Sequence, residues 1–146
     1  MAPRAQEAAL KPRHRVLIVD DEESTRVLLA QFLAKDLNVE AQLAGTCEQA
    51  LRLAGNYAYD AILLDLLMPG IGGLGVLAAI RAASPNASTP VIIVSVVSEQ
   101  QTVDRCMAAG ASAYHLKPIR RAELLATVKA QLAARNKPKP PRDQDG

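Results

Sequence analysis

The chain has few aromatic residues and almost no cysteine. It contains no tryptophan, one phenylalanine, three tyrosines and two cysteines in 146 residues. Its hydrophobic content of 49% excludes a mainly disordered chain and predicts a core of aliphatic side chains. Cys47 and Cys106 lie in helix-like segments outside any CxxC spacing, so we interpret them as reduced structural thiols of a cytosolic protein.

Long apolar runs are also missing. The longest runs have the length of a β-strand, which is too short to cross a membrane as a helix. Residues 1–15 carry basic side chains but lack the apolar stretch of a secretory signal. We therefore expect a cytoplasmic protein without a membrane partner, and a chain of this length fits one domain.

The central part of the chain has no excess of basic residues, although the net charge of the whole chain is +2. Four basic residues and one acidic residue precede Val16, and four basic and two acidic residues follow Ala134. The central part therefore carries nine basic and twelve acidic residues, a net charge of −3. This balance argues against a nucleic-acid surface on the domain.

The two ends of the chain differ in composition from the rest. Residues 1–14 are polar and aperiodic and predict a flexible basic arm, whereas residues 135–146 predict an extended Pro/Lys-rich tail. The folded domain is predicted to span residues 15–134. Because no effector domain fits into the tail, we expect a stand-alone domain; in a fragment of a longer protein, the tail would be a linker.

Strand and helix patterns alternate along the predicted domain. Short apolar runs predict β-strands at 15–19, 39–43, 59–64, 90–95 and 113–116. Helical spacing predicts helices at 24–36, 73–83 and 120–134, a further helix that begins at Thr46, and another that ends at Ala109. Capping boxes are predicted from Thr46 with Gln49 and from Ser98 with Gln101. The apolar residues of the first helix are Val27, Leu28, Phe32 and Leu33.

This alternation predicts an α/β fold with a parallel sheet. Right-handed crossovers restrict the topology, and the strand order 2-1-3-4-5 is the common doubly wound choice. We therefore expect a doubly wound (βα)5 sandwich of the flavodoxin-like type, with the second strand at a sheet edge.

Polar side chains follow the predicted strands where each strand ends. Asp20 and Asp21 follow the first strand, Asp65 follows the third, Ser95 ends the fourth, and Lys117 follows the fifth. Strands one, three, four and five are neighbours in the predicted order, so these side chains gather at one edge. Carboxylates this close repel unless a cation neutralises them, and Mg²⁺ prefers such oxygen ligands together with phosphate. The set predicts phosphoryl transfer with a carboxylate as the acceptor.

Together these residues resemble the receiver domain of bacterial two-component response regulators. The resemblance covers residues 15–134 and rests on motifs in the order and spacing of that family. The motifs are Val19-Asp20-Asp21, the run from Asp65 to Pro69 with Gly73, Ser95, and Lys117-Pro118.

The resemblance assigns a role to each matching residue. Asp65 is implied to be the phosphoacceptor, and Lys117 the lysine that contacts the phosphoryl group, with a cis peptide before Pro118. Ser95 is implied to be the switch hydroxyl, and Tyr114 the switch aromatic that rotates inward. The implied ligands of Mg²⁺ or Mn²⁺ are Asp20, Asp21, Asp65 and the backbone carbonyl of Leu67.

The resemblance also implies a function and partners. A histidine kinase, a phosphotransfer protein or a small acyl phosphate would charge Asp65, and a downstream protein would bind the face of helix four, strand five and helix five. A phosphorylation-dependent dimer is a further hypothesis. The chain would be a phosphorylation-controlled interaction module rather than a turnover enzyme.

Three residues beside the predicted site depart from the family pattern or vary within it. Val96 stands where the family usually has a small residue, and Leu67 and Val97 occupy two variable positions that are both apolar here. We hypothesise that Leu67 and Val97 hinder the hydrolytic water and prolong the phosphorylated state. We also hypothesise that Val96 slows charging by small phosphodonors.

Other interpretations remain open at the level of sequence. The glycines from Gly70 to Gly75 spell G-x-G-x-x-G, but they follow the third strand, and no acidic residue ends the next one, which argues against a dinucleotide site. A phosphatase with Asp65 as nucleophile would need a second aspartate at position 67, where Leu67 stands. A pseudo-receiver that binds partners constitutively is a further alternative. Taken singly, Asp20-Asp21 also fits a helix cap, and Tyr114 also fits simple packing.

Overall fold

The computed structural model describes residues 14–82 and 84–136. Its strands are β1 His14–Val19, β2 Val39–Ala44, β3 Ala61–Leu64, β4 Val91–Ser95 and β5 Ala113–Leu116. Its helices are α1 Glu23–Leu37, α2 Cys47–Asn56, α3 Gly72–Ala82, α4 Gln100–Ala108 and α5 Arg121–Asn136. The predicted arm and tail lie outside the described residues except for His14, which begins β1, and residues 135–136, which belong to α5.

The five strands form one parallel sheet in the order β2-β1-β3-β4-β5, which confirms the predicted fold. Val19 pairs with Leu64, and Ser95 pairs with Leu116. Backbone bonds continue past the strand ends: the amide of Asp65 donates to the carbonyl of Val19 at 2.9 Å. The amide of Lys117 likewise donates to Ser95 at 2.8 Å. The residues that follow these strands are therefore held at one edge of the sheet.

Both faces of the sheet are covered, which explains the continuous apolar runs of the central strands. The residues from Val16 to Val19 are all buried, and successive side chains point to opposite faces. Leu17 and Val19 belong to the core shared with α2, α3 and α4. Val16 and Ile18 belong to the core shared with α1 and α5.

The inward stripe of α1 differs from the apolar set predicted for that helix. Val27 and Leu28 are exposed, whereas Leu29 and Leu33 are buried. Residues four positions apart share one face of a helix, so burying Leu29 with Leu33 turns Leu28 about 100° away from the core. The spacing of apolar residues predicted the helix correctly but not its orientation.

The two predicted capping boxes have different outcomes. The amide of Gln49 donates to the hydroxyl of Thr46 at 3.0 Å, and the side-chain oxygen of Gln49 accepts from the Gly45 amide at 2.9 Å. This confirms Thr46 as the N-cap, but the Gln49 side chain accepts from Gly45 rather than from the Thr46 amide that the capping box requires. The second prediction is wrong, because α4 begins at Gln100 and its N-cap is Glu99, without a side-chain bond to the helix backbone.

Strand β3 is shorter than its apolar pattern predicted. It begins at Ala61 rather than Tyr59, because the Tyr59 amide donates to the side-chain oxygen of Asn86 at 2.8 Å instead of to a neighbouring strand. Within 14–82 and 84–136, none of the helices combines the length and the apolar character required to cross a membrane.

Candidate functional site

Three carboxylates meet at the carboxyl edge of the sheet. Asp20 follows β1, Asp65 follows β3, and both are almost fully buried, with exposed fractions of 2% and 5%. Asp21 is exposed at the rim. One oxygen of each carboxylate lies within 4.8 Å of an oxygen of the other two. The structure therefore brings the predicted acidic residues together.

Lys117 reaches into this cluster from the end of β5. Its Nζ atom donates to Asp20 Oδ2 at 2.9 Å and lies 3.8 Å from Asp65 Oδ2. Burial lowers the pKa of the ammonium, but the hydrogen bond to Asp20 and the charge of Asp65 outweigh burial and raise it overall. Lys117 therefore stays charged between the two buried carboxylates.

The electrostatics at Asp65 show that one ammonium does not balance the cluster. Burial raises the pKa of Asp65, and the charge of Asp20 raises it further. Lys117 and the Leu67 amide, which donates to Asp65 Oδ1 at 3.3 Å, lower it without cancelling the increase. Carboxylate oxygens with uncompensated negative charge fit a hard divalent cation such as Mg²⁺.

The Leu67 carbonyl was also predicted to be a metal ligand. The Leu67 amide donates a hydrogen bond to the Asp65 carboxylate, and Leu67 is 56% exposed. The predicted metal contact through the carbonyl oxygen stays a prediction.

Ser95 and Tyr114 are linked through Val97. Ser95 is completely buried at the end of β4, and its hydroxyl accepts a hydrogen bond from the Val97 amide at 3.2 Å. The hydroxyl of Tyr114, which is half-buried on β5, donates to the Val97 carbonyl at 2.5 Å. Burial raises the pKa of Tyr114, and a hydrogen bond with Ser95 opposes that increase. The β4–α4 loop thus connects the two predicted switch residues.

The loop after Asp65 depends on glycine at three positions. Gly70 and Gly72 adopt positive φ angles of 94° and 74°, which side chains disfavour. A Cβ atom at Gly73 would lie 2.3 Å from the backbone oxygen of Asp65. The motif therefore has a structural explanation in the turn and in the close approach of α3 to the end of β3. The Lys117–Pro118 peptide is cis, as predicted.

One residue near the site was not predicted. Arg26 Nη1 donates to the backbone oxygen of Asp20 at 2.7 Å, and the guanidinium packs against Gly45. This contact holds the peptide that joins Asp20 to Asp21. An arginine in the second turn of an amphipathic helix gives no signal of such a contact, because the carbonyl lies in the preceding loop.

The fold and this edge define a doubly wound α/β domain with an acidic site at the carboxyl edge of its sheet, and the comparisons specify its family. A family model described as the response regulator receiver domain matches residues 16–129. The chain belongs to this family, the receiver domains of two-component response regulators. Receiver domains are phosphoacceptor signalling domains and generally not catalytic enzymes.

Curated relatives extend well beyond the length of this chain. RpfC, a sensory/regulatory protein of Xanthomonas campestris pv. campestris, is 36% identical over 116 residues, which are 78% of this chain and 16% of RpfC. The cell cycle transcriptional regulator CtrA of Caulobacter vibrioides is 36% identical over 117 residues, 80% of this chain and 49% of CtrA. The chain thus spans about half or less of these relatives.

Solved structures share the fold over most of the chain. A two-component response regulator from Clostridium difficile is 26% identical with a TM-score of 0.78, and the match covers 86% of this chain and 100% of that one. The receiver domain of the sensor histidine kinase PA1611 from Pseudomonas aeruginosa PAO1 is 28% identical with a TM-score of 0.74. That match covers 82% of this chain and 98% of the PA1611 domain, whose structure has a magnesium ion coordinated in the active site cleft.

Proposed function

We propose that this chain accepts a phosphoryl group on Asp65 and thereby switches the binding of a partner protein. The observation that carries the proposal is the meeting of three carboxylates with Lys117, which lies 2.9 Å from Asp20 and 3.8 Å from Asp65. With a divalent cation bound by the carboxylates, such a set would neutralise the charge of a transferring phosphoryl group.

The transfer step follows from the position of Asp65. One oxygen of its carboxylate attacks phosphorus, the O–P bond forms, and the bond from phosphorus to the donor breaks. The donor leaves as the imidazole of a phosphohistidine or as the carboxylate of an acyl phosphate. Lys117 then moves from the carboxylates toward a phosphoryl oxygen.

The same proposal assigns the divalent metal to the acidic cluster. Asp20, Asp21, Asp65 and the Leu67 carbonyl would hold Mg²⁺ or Mn²⁺, which supplies positive charge that neutralises the phosphoryl oxygens. The raised pKa of Asp65 supports this assignment, because burial and the neighbouring Asp20 leave its negative charge only partly compensated.

The switch would act through the β4–α4 loop. In the proposal, the Ser95 hydroxyl donates to a phosphoryl oxygen, which draws the loop inward and displaces the Val97 carbonyl from Tyr114. The Tyr114 side chain then changes its orientation on β5, and a partner protein binds the face formed by α4, β5 and α5. Leu116 and Met107 on these elements are 49% and 43% exposed, which supports a binding surface or a dimer interface there.

Intact-mass measurement tests the proposal. The chain is incubated with Mg²⁺ and acetyl phosphate, and the expected product carries one added phosphoryl group. Asp65→Ala stays unmodified, and chelation of the metal prevents the modification. No adduct on the wild type, or an undiminished adduct on Asp65→Ala, contradicts it. A chain that also fails to bind Mg²⁺ is instead the constitutive pseudo-receiver.

Three finer expectations stay predictions. The identity of the phosphodonor as a histidine kinase or a phosphotransfer protein is part of the proposal, as is the output partner. The stand-alone character of the regulator is a further prediction, since RpfC and CtrA are longer than this chain. A phosphatase with Asp65 as nucleophile gains no support, because Leu67 stands two residues after Asp65 and supplies no acid.

A further inference from the structure

A cleft opens beside the phosphoacceptor site, between the start of α2 and the β3–α3 loop. Its volume is about 360 Å³. Apolar or small groups form most of the wall, and Asp21 and Glu48 contribute carboxylates. Volumes of this order accommodate side chains and small ligands. We call this feature the α2 cleft; its lining includes Asp21, Thr46, Cys47, Leu51, Pro69 and Ile71.

The walls of the α2 cleft are built before any partner arrives. The Cys47 thiol donates to the Pro69 carbonyl at 3.4 Å and joins α2 to the β3–α3 loop. Ile71 lies against Gly75, where an added Cβ would be 2.8 Å from the Ile71 Cβ atom. Ile71 therefore packs on the first turns of α3 while 56% of it remains exposed. A preformed apolar wall lowers the cost of binding, because few side chains lose freedom.

The rim of the cleft is negatively charged. Asp21 and Glu48 are exposed, and Glu22 and Glu23 follow Asp21 directly in the chain. The Arg26 guanidinium packs on Gly45 and donates to the Asp20 carbonyl. An acidic rim around an apolar floor is complementary to an apolar side chain flanked by a basic one.

The position of the cleft indicates which kind of partner would occupy it. Asp21 lines the cleft and has a carboxylate oxygen within 4.8 Å of one on Asp65. A protein that delivers a phosphoryl group to Asp65 from a histidine must therefore cover the mouth of the cleft. A helix that carries this histidine can present an apolar and a basic residue one turn apart on the same face.

We propose that the α2 cleft receives an apolar side chain of the histidine phosphodonor protein and that Glu48 pairs with a lysine or arginine beside it. The inference rests on the proposed function and names a surface that selects the donor. Acetyl phosphate is too small to use the cleft, so its transfer to Asp65 is independent of Glu48 and Ile71.

Phosphotransfer profiling tests the inference. Histidine kinases from the source genome are purified and autophosphorylated with labelled ATP. Phosphotransfer proteins are phosphorylated by these kinases, and each labelled donor is mixed with the chain. The donor with the fastest transfer is then used with Glu48→Lys and Ile71→Ala. Glu48→Lys is expected to lower kcat/KM about tenfold, and less at high salt, because charge reversal weakens steering and pairing. Ile71→Ala is expected to lower it several-fold.

A matched control and a second donor separate the outcomes. Glu40→Lys is the control: it reverses a charge on β2, where Glu40 is 51% exposed and pairs with Arg15. This variant should accept the phosphoryl group from the protein donor as fast as the wild type does. Acetyl phosphate should charge all three variants like the wild type. Unchanged transfer to Glu48→Lys and Ile71→Ala overturns the inference. The inference is also overturned if acetyl phosphate phosphorylates the wild type but none of the purified proteins transfers a phosphoryl group to it. If acetyl phosphate fails on the wild type, the proposed function itself is wrong.

Discussion

Lys117 is hydrogen-bonded to Asp20 rather than to Asp65, with Nζ–Oδ2 distances of 2.9 Å and 3.8 Å. The carboxylate proposed to accept the phosphoryl group therefore keeps the weaker contact with the ammonium. This asymmetry leaves Asp65 free to react while Asp20 is held in place by Lys117 and by the Glu22 amide.

Removing the ammonium should destabilise the chain in the absence of a divalent metal. Lys117→Met leaves two buried carboxylates without their cation and should lower the free energy of unfolding by about 3 kcal/mol. Added Mg²⁺ should restore more stability to this variant than to the wild type. Urea denaturation with and without Mg²⁺ measures both effects. Arg120→Met is the control, since its pair with Glu123 is exposed and should contribute under about 1 kcal/mol. Equal losses in both variants would contradict the prediction.

The pH dependence of stability should report the charge on Asp65. Burial and Asp20 raise its pKa in the folded state, so the ionised form opposes folding above that pKa. Its contribution to stability therefore improves as the pH falls through the folded pKa toward the unfolded value of about 3.9. In chelator, Asp65→Asn should be more stable than the wild type at pH 7, and the difference should shrink as the solution is acidified. A difference that grows on acidification would rule this out.

The lifetime of the phosphorylated state should depend on Leu67 and Val97. Both residues line one depression beside the site, with Leu67 56% exposed. If they exclude the hydrolytic water, Leu67→Ala combined with Val97→Ala shortens the half-life of the phosphorylated chain roughly tenfold, equivalent to about 1.4 kcal/mol of barrier. Loss of label after removal of the donor measures this. An unchanged half-life would exclude water gating.

Val96 should control charging by small phosphodonors. It directly follows the buried Ser95, and its side chain is 60% exposed. Removing its two methyl groups opens the approach, so Val96→Ala should be charged several-fold faster by acetyl phosphate, a barrier change of about 1 kcal/mol or less. Ser98→Ala, in the same loop, serves as the control and should behave like the wild type. A rate for Val96→Ala equal to that of the wild type would refute the steric explanation.

Asn86 should be among the strongest polar determinants of stability. It is completely buried, and its amide nitrogen donates to the carbonyls of Ala54 and Tyr57, each at 2.7 Å. Its oxygen accepts from the Tyr59 amide and the Thr89 hydroxyl.

Asn86→Ala leaves these buried groups unsatisfied and should cost about 3 kcal/mol or more of unfolding free energy. Asn56→Ala, which removes one exposed hydrogen bond to the Arg52 carbonyl, should change it by less than about 1 kcal/mol. Denaturant midpoints compare the two, and a loss at Asn86 as small as that at Asn56 would disprove the role of the network.

Local sequence patterns predicted the ends of strands and helices correctly where an apolar run or a capping residue marked them clearly. The apolar run at β5 predicted both the first and the last residue of that strand, and Thr46 was correctly predicted as an N-cap. Ser98 was placed wrongly as a cap because α4 begins two residues later, at Gln100. The loop around Asn86 was read only as a loop, since its hydrogen bonds reach residues 27 to 32 positions earlier in the chain.

The sequence by itself determined the alternation of strands and helices and the residues that follow each strand. Buried parallel strands need continuous apolar runs, right-handed crossovers leave few orders for five of them, and the residue after each strand then lies at a known edge. The α/β fold follows from these local signals, and the meeting of Asp20, Asp21, Asp65 and Lys117 follows once the common doubly wound order is adopted.

Only the tertiary structure decided how these residues pair. Lys117 and Asp20 are 97 positions apart, and the preference of Lys117 for Asp20 over Asp65 is a difference between Nζ–oxygen distances of 2.9 Å and 3.8 Å. The α2 cleft beside Asp21 likewise arises where the start of α2 meets the β3–α3 loop. Packing between distant segments sets such distances, and periodicity along the chain carries no information about them.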